Sequence, residues 1–448
     1  MHKMTLGELL TIGLMMFSIF FGAGNLIFPP ALGQAAGDHV LVAMAGFVTT
    51  GVGLPLLGIT AIALQGGKYI EFIAKVTKPA FATAVLVILY LTIGPLFAMP
   101  RTGAVSFEIG IRPFLSEDSI TVGQFIYTAI FFGLSYYLAL NPSKLIERVG
   151  KLLTPILLIF LALMFVKSFV TPLGGILAAT GPYVATPYAQ GFQDGYQTMD
   201  LLASIAIGTL VVNTVRMRGV EGRRALGEVC LIAGIISVVL MSLVYGSLAY
   251  LGATSAGVLG HSENGGQLLA AAVGILFGSW GNMVLAIVIA LACLTTCTGI
   301  TSGAAWFFNN LLKNKISYER LLLISLTFSF IASNVGLTQI IALAVPFLVL
   351  IYPIVIVLVV LSLFERWIDW RHLTYRYAAY FATVFSVIDA ANAAGFRIDA
   401  LNAFLTQYLP FYTLTMGWFI PALIGAIIGL VVSSVRGRQA IEAGAAGF

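Results

Sequence analysis

Phe20 to Pro30 reads FFGAGNLIFPP. The apolar run that starts at Leu9 is interrupted here by two glycines, an asparagine and a double proline, before polar character returns at Gln34. A helix in hydrocarbon satisfies its own backbone. Breaking one frees N–H and C=O groups, which are tolerated only where they line a cavity or hold a ligand. The stretch therefore predicts a membrane helix broken near its middle, with the break as a binding site. Gly22 and Gly24 permit the open conformation and the close approach of a ligand. Pro29 and Pro30 are expected to set where the second half-helix begins, since they lack N–H groups that would need partners. The exposed N-terminal end of one half suits a carboxylate, and the carbonyl end of the other suits a cation. The alternative is a Gly/Pro kink that only serves packing.

The rest of the chain agrees with a membrane setting. Its 448 residues are 59% hydrophobic and 9% charged, against roughly 25% charged in an average soluble domain. Apolar stretches long enough to cross about 30 Å of hydrocarbon as helix recur throughout, unlike the short alternating strands of an outer-membrane barrel. The fold class is thus an all-α polytopic membrane protein. Twelve spans are expected, near 6–33, 40–65, 80–106, 122–140, 151–171, 196–216, 225–252, 281–311, 319–335, 338–363, 376–396 and 411–435. Lys3 followed by an apolar run resembles a signal peptide, but apolar character resumes through Leu32, so the segment reads as a retained helix.

Of the 23 Lys and Arg residues, all but Arg101, Arg112, Lys167 and Arg397 fall at the termini or in alternate loops. By the positive-inside rule both termini are then cytoplasmic. The net charge of +5 is this topology signal and no sign of nucleic-acid binding. Cys230, Cys293 and Cys297 all lie in expected spans and read as small packing residues.

Aligning Gly24 with Gly208 lays the second span over the seventh. Two sets of five spans follow, at 5–171 and 190–363, with extra helices at 376–435. An odd number of spans per set makes the halves face opposite ways, the inverted-repeat plan of many secondary transporters. The sixth span, DLLASIAIGTLVVNTVR from Asp200 to Arg216, places Ser204, Gly208 and Thr209 where the repeat puts a second break. Asp200 precedes it by about a turn. It is either a functional carboxylate at membrane depth or a solvated residue at the interface.

Five segments now stand in order: GAGNLIFPPALG, GPLFAMPRTGAVSFEIG (Gly94 to Gly110), NPSKLIERVGKLLTP (Asn141 to Pro155), GYQTMDLLASIAIG (Gly195 to Gly208) and LACLTTCTGIT (Leu291 to Thr301). Together they resemble the bacterial branched-chain amino acid:cation symporter family over nearly the whole chain. The resemblance implies import of leucine, isoleucine and valine across the bacterial inner membrane, coupled to sodium, with protons as the alternative cation. It also implies a fold similar to that of the neurotransmitter:sodium symporters, whose first-helix motif GAGNLIFP resembles.

By that similarity the amides of Ala23 and Gly24 hold the substrate carboxylate, Gly22 gives room, and Asn25 lies beside them. Carbonyls near Ala203 to Ala206, around Ser204 and Gly208, take the ammonium, with Asp200 as an alternative partner. Carbonyls of Ser18 and Phe21 contribute to a sodium site completed on the eighth helix. Two registers offer its ligands there: Ala292, Thr295 and Thr296, or Thr298, Thr301 and Ser302. The first is preferred on its distance to the basic turn at Lys313. Hydroxyls and carbonyls suit sodium because a hard cation prefers oxygen. A second sodium site is not expected, because Asn25 and Ser204 match the related pattern but residues 228–252 contain no asparagine.

Arg101 and Glu108 lie seven apart on one helical face. Arg101 is expected to pair with Asp200 or Glu108 in an outer gate; the alternative is an arginine snorkelling to the interface. Gly425 and Gly429 form a GxxxG spacing that suits a dimer contact, leaving a monomer or a weak homodimer. An enzyme is not expected: the histidines show no metal spacing, and no GxxxxGK[ST] phosphate loop is present. A sensor built on the same fold is the remaining competitor.

Overall fold

A computed structural model describes residues 4–140, 142–368 and 372–445, with side chains at 4–140, 155–368 and 372–435. Of the expected topology signal, Lys3, Lys144, Arg148, Lys151, Arg371, Arg436 and Arg438 lie outside these, as does His2. The described residues form helices and turns, without a strand.

The first span is two helices. α1 (Leu6–Phe20) starts on a capping box, with the Thr5 hydroxyl accepting from the Glu8 N–H and the Glu8 carboxylate accepting from the Thr5 N–H. It stops where Phe21 turns extended, and α2 (Ala23–Ala36) resumes after Gly22. Pro29 and Pro30 do not begin α2, as expected, but lie inside it. Without N–H groups they leave the carbonyls of Asn25 and Leu26 with no donor four residues on. The start is set instead by the extended backbone at Gly22.

The second span is α3 (Val40–Val48) and α4 (Leu54–Leu64), joined by a π-helical turn over Thr49–Gly53. α5 (Tyr69–Val76) is a short connecting helix. The third span, expected to be continuous, is α6 (Pro79–Leu91) and α7 (Ala98–Gly110), bent at Gly94, whose φ/ψ of −94°/−126° is not helical, and Pro95. α8 (Ile120–Ala139) and α9 (Pro142–Val170) follow.

The second break also differs from expectation. α10 (Pro187–Asp194) runs into a 3₁₀ turn over Gly195–Thr198, Met199 adopts a left-handed conformation (φ 64°), and α11 (Asp200–Met217) is then continuous. The break therefore precedes Asp200, and Ser204, Gly208 and Thr209 lie in unbroken helix. Ser204 and Gly208 are small because α4 packs there: Ser204 Oγ meets Gly58, and a methyl on Gly208 would overlap Ile62.

α12 (Arg223–Leu259) and α13 (Gly265–Leu311) are long, and α13 turns at Gly278 (φ 66°), so that an additional helical segment precedes the expected eighth span. α14 (Tyr318–Ser333), α15 (Leu337–Leu363) and α16 (Glu365–Ile368) lead to α17 (His372–Ala393), α18 (Asp399–Tyr408) and α19 (Phe419–Ala445). Among the described residues, seven helical stretches are long and apolar enough to cross a membrane, with shorter apolar helices at Leu6–Phe20, Pro155–Val170 and Phe419–Val435.

Glycines bring backbones into contact where the breaks must be held. A methyl on Gly33 would overlap the Ala249 carbonyl, and one on Gly252 the Pro30 carbonyl, so α2 lies directly on α12. Gly425 and Gly429 do not form a free dimer face: Gly425 lies on Tyr377, and Gly429 on Leu373 and Thr374, packing α19 against α17 of the same chain. A small-xxx-small spacing permits close approach but does not say to which helix.

Gly252→Ala is expected to destabilise the protein by about 1–3 kcal/mol, the usual cost of overpacking. Gly246→Ala on the same helix, where nothing lies within 4 Å, should not destabilise and should gain up to about 1 kcal/mol from helix propensity. Thermal unfolding of the two purified variants compares them directly.

Candidate transport site

The two breaks face each other in the interior. Gly22 (φ −126°, ψ −167°) is in extended backbone open to any residue, so conformation is not what demands glycine. Contact is: a methyl at Gly22 would stand 3.3 Å from both Cγ2 and Oγ1 of Thr296 on α13. One helical turn on, Asn25 is 1% exposed and donates from Nδ2 to Asp200 Oδ2 at 2.7 Å. The Tyr245 hydroxyl on α12 accepts a short bond from the same amide and donates to Asp200 Oδ2 at 3.4 Å.

Asp200 is therefore neither at an interface nor solvated. It is 4% exposed and opens α11 directly after the left-handed Met199. An acid at a helix N-terminus is favoured by the unpaired N–H groups there. Asn25 and Tyr245 link it to the first half-helix and to α12.

Arg101 is 4% exposed, which rules out snorkelling. It pairs with neither expected acid within ion-pair distance. Its Nη1 donates to the Gln197 carbonyl at 2.6 Å and its Nη2 to the Thr198 carbonyl at 3.5 Å, capping the last turn before the second break. The guanidinium carbon lies 5.2 Å from the Phe28 ring centre. Gly24, one turn before Phe28 on α2, also lies against the guanidinium: a methyl there would come within 2.8 Å of Nη2. The kink at Gly94–Pro95 redirects α7 just ahead of this residue. Glu108 pairs with Arg112 at 2.7 Å and accepts from Gln267 at 2.8 Å, joining α7 to α13. Seven residues along a helix share a face but differ in height by about 10 Å, so Arg101 and Glu108 serve different levels.

Ser18 is in the last turn of α1, Phe21 is buried at the break, and Ala292 is buried on α13. Thr295 bonds back to the carbonyls of Leu291 and Ala292. Thr298, Thr301 and Ser302 likewise bond to Leu294, Cys297 and Thr298. Among the described residues, Thr296 is the one hydroxyl of these five not tied to its own helix, and it is the one against Gly22.

Ala203, Ser204, Ala206 and Gly208 are not brought to the breaks in the expected way. Their carbonyls belong to continuous helix, and the Ser204 hydroxyl donates to Leu201. Cys230, Cys293 and Cys297 are buried free thiols, and no cluster suited to a transition metal occurs among the described residues. Tyr245 is not singled out by the sequence and reads there as an ordinary apolar-helix residue; Phe28 stands in FFGAGNLIFPP without a role of its own. A cavity of about 260 Å³ lies elsewhere, among Gln65, Lys68, Arg216, Arg223 and neighbours.

A bundle with two facing breaks, a buried acid and a buried guanidinium is a membrane transporter in architecture. Solved structures agree on the fold. Mhp1, a nucleobase-cation-symport-1 family transporter in a closed conformation with bromovinylhydantoin bound, aligns with TM-score 0.62 at 13% identity, over 96% of this chain and 93% of that one. A manganese transporter mutant of Eremococcus coleocola aligns with TM-score 0.58 at 13% identity, over 97% of each.

The chain belongs to the branched-chain amino acid transport protein family, whose profile matches residues 6–436. It is 47% identical to branched-chain amino acid permease BraB of Bacillus subtilis, over 96% of this chain and 97% of that protein. It is 41% identical to the branched-chain amino acid transport system 2 carrier protein of Pseudomonas aeruginosa (96% and 97% covered). With permease BrnQ of Escherichia coli K12 the identity is 37%, over 98% of each chain. It is a transport protein and not an enzyme.

Asn25→Ala removes the shortest side-chain hydrogen bond of the Asp200 carboxylate and leaves the long Tyr245 bond. It is expected to cost about 1.5–3 kcal/mol, as for a hydrogen bond to a charged group. Tyr245→Phe should cost less, because the Asn25 bond remains; thermal unfolding of both variants checks the order.

Proposed function

We propose that the chain imports leucine, isoleucine and valine by symport with sodium, with protons as the alternative cation, using alternating access across a bacterial inner membrane. The observation that carries this is the meeting of two backbone breaks at the buried Asn25–Asp200–Tyr245 cluster. The names of the relatives support the substrate class. The basic-residue pattern supports cytoplasmic termini, and the fold neighbours support two five-helix repeats, at 5–171 and 190–363, with 376–435 outside them.

In this reading the substrate sits between Gly22–Asn25 and Asp200. Its carboxylate meets the unpaired N–H groups of Ala23 and Gly24 at the start of α2. The ammonium goes to Asp200, since the carbonyls near Ala203 to Ala206 are engaged within α11. Ser204 and Gly208 back the site through the packing of α11 on α4, and Ala206 lies on the same helix.

Sodium takes the carbonyls of Ser18, Phe21 and Ala292 with the hydroxyls of Thr295 and Thr296. The contact of Thr296 with Gly22 favours this register over Thr298, Thr301 and Ser302. Ties between α1 and α13 stabilise one access state. Coupling follows when cation and substrate prefer the same states. Glu108, through Gln267, is the gate candidate whose contacts join separate elements.

Labelled-leucine uptake into proteoliposomes tests the reading. Accumulation is expected under an inward sodium gradient and absent without one; Thr296→Ala should abolish the sodium stimulation and Thr301→Ala should leave it. Accumulation with a proton gradient alone would move the coupling to protons. Binding without accumulation under any gradient would favour a sensor.

A further inference from the structure

We infer that Arg101 is a substrate ligand, the residue that grips the carboxylate of the bound amino acid; this rests on the amino-acid reading above. The guanidinium has five N–H donors in a rigid fork. The structure uses them unevenly. Nη1 is well bonded to the Gln197 carbonyl at 2.6 Å, Nη2 reaches the Thr198 carbonyl only at 3.5 Å, and Nε is buried with no partner. The Nε–Nη2 edge therefore presents two parallel donors whose hydrogen-bonding capacity is largely unspent. Two parallel N–H groups match the two oxygens of a carboxylate.

Charge points the same way. A buried cation needs a counter-ion, yet among the described residues no carboxylate lies within ion-pair distance of Arg101. Asp200 acts on it only from beyond that distance and is hydrogen-bonded to Asn25 and Tyr245, and Glu108 is held by Arg112 and Gln267. The carbonyls of Gln197 and Thr198 and the Phe28 ring supply partial charge only. A zwitterion laid between the breaks would place its carboxylate toward Arg101 and its ammonium toward Asp200, so that each buried charge gains a full opposite charge.

The position fits the backbone as well. Arg101 Nη2 stands against the bare Cα of Gly24, beside the free N–H groups that open α2, so guanidinium and amides converge on the same place. Gly24 is thus a glycine because a guanidinium occupies its side-chain volume. A gate between Arg101 and an acid would need a partner that the structure assigns elsewhere.

Equilibrium binding of leucine and of leucinamide, which keeps the ammonium and side chain but lacks the carboxylate, separates this role from a structural one. The full chain, Arg101→Lys and Arg101→Gln are compared in nanodiscs with sodium, the amide measured by competition at millimolar concentration. Arg101→Gln is expected to weaken leucine about 100-fold, and Arg101→Lys, a point charge without the fork, about 10-fold. Leucinamide should bind the full chain weakly and all three proteins within about threefold of one another. Leucine affinity within about threefold in Arg101→Gln overturns the proposal, as does an equal loss of both probes. If the unmutated chain binds no leucine, the amino-acid reading fails and takes this role with it.

Discussion

Backbone hydrogen bonding inside hydrocarbon is the constraint on which the rest of this structure depends. Each N–H and C=O in a span must find a partner within the protein, yet the chain breaks its first span at Phe21–Gly22 and the start of its sixth at Gln197–Met199. The free groups are handled asymmetrically. On the second break, carbonyls of Gln197 and Thr198 are taken up by Arg101, and the N-terminus of α11 is answered by Asp200 itself. On the first, Gly24 at the start of α2 lies against the same guanidinium, so one part of the site is rich in donors and another holds an acid. An α-amino acid has this polarity, carboxylate at one end and ammonium at the other.

Such a site holds its geometry only if the half-helices are fixed. The glycine contacts do this: Gly33 and Gly252 clamp α2 to α12, Gly265 presses on Ile27, and Gly195 at the second break packs on Thr50 in the π-helical turn of the second span. Side chains then act over short distances. Asn25 reaches Asp200, Tyr245 reaches both, and Thr296 touches Gly22. The arrangement links α1, α2, α11, α12 and α13 at one level, which is what a transporter needs if occupancy is to bias the packing of its helices.

Much of this was legible in the sequence where the signal was local. FFGAGNLIFPP marked the first break because Gly22, Gly24 and the prolines are costly in an apolar helix unless they serve something. The second break was misplaced because its turning residue, Met199, carries no breaker signature, whereas Ser204 and Gly208 are small for a different reason, packing on α4. Arg101 is legible as anomalous, but its hydrogen bonds go to the Gln197 and Thr198 carbonyls and not to an acid; Glu108 is out of reach because helical periodicity fixes a face and not a height. Tyr245 could not be distinguished from a core aromatic, because its role depends on a residue 45 positions away. Gly425 and Gly429 show the same limit: the spacing reveals close approach, and only the fold reveals that α17 is the neighbour.

The central claim, that the two breaks form one amino-acid site, is tested most directly by a cryo-EM map of the full chain in nanodiscs with leucine and sodium. The account predicts ligand density between Gly22–Asn25 and Asp200, with the carboxylate end toward Gly24 and Arg101. Leucine density seated elsewhere, with Asn25 still bonded to Asp200 and the space between the breaks closed, would contradict it.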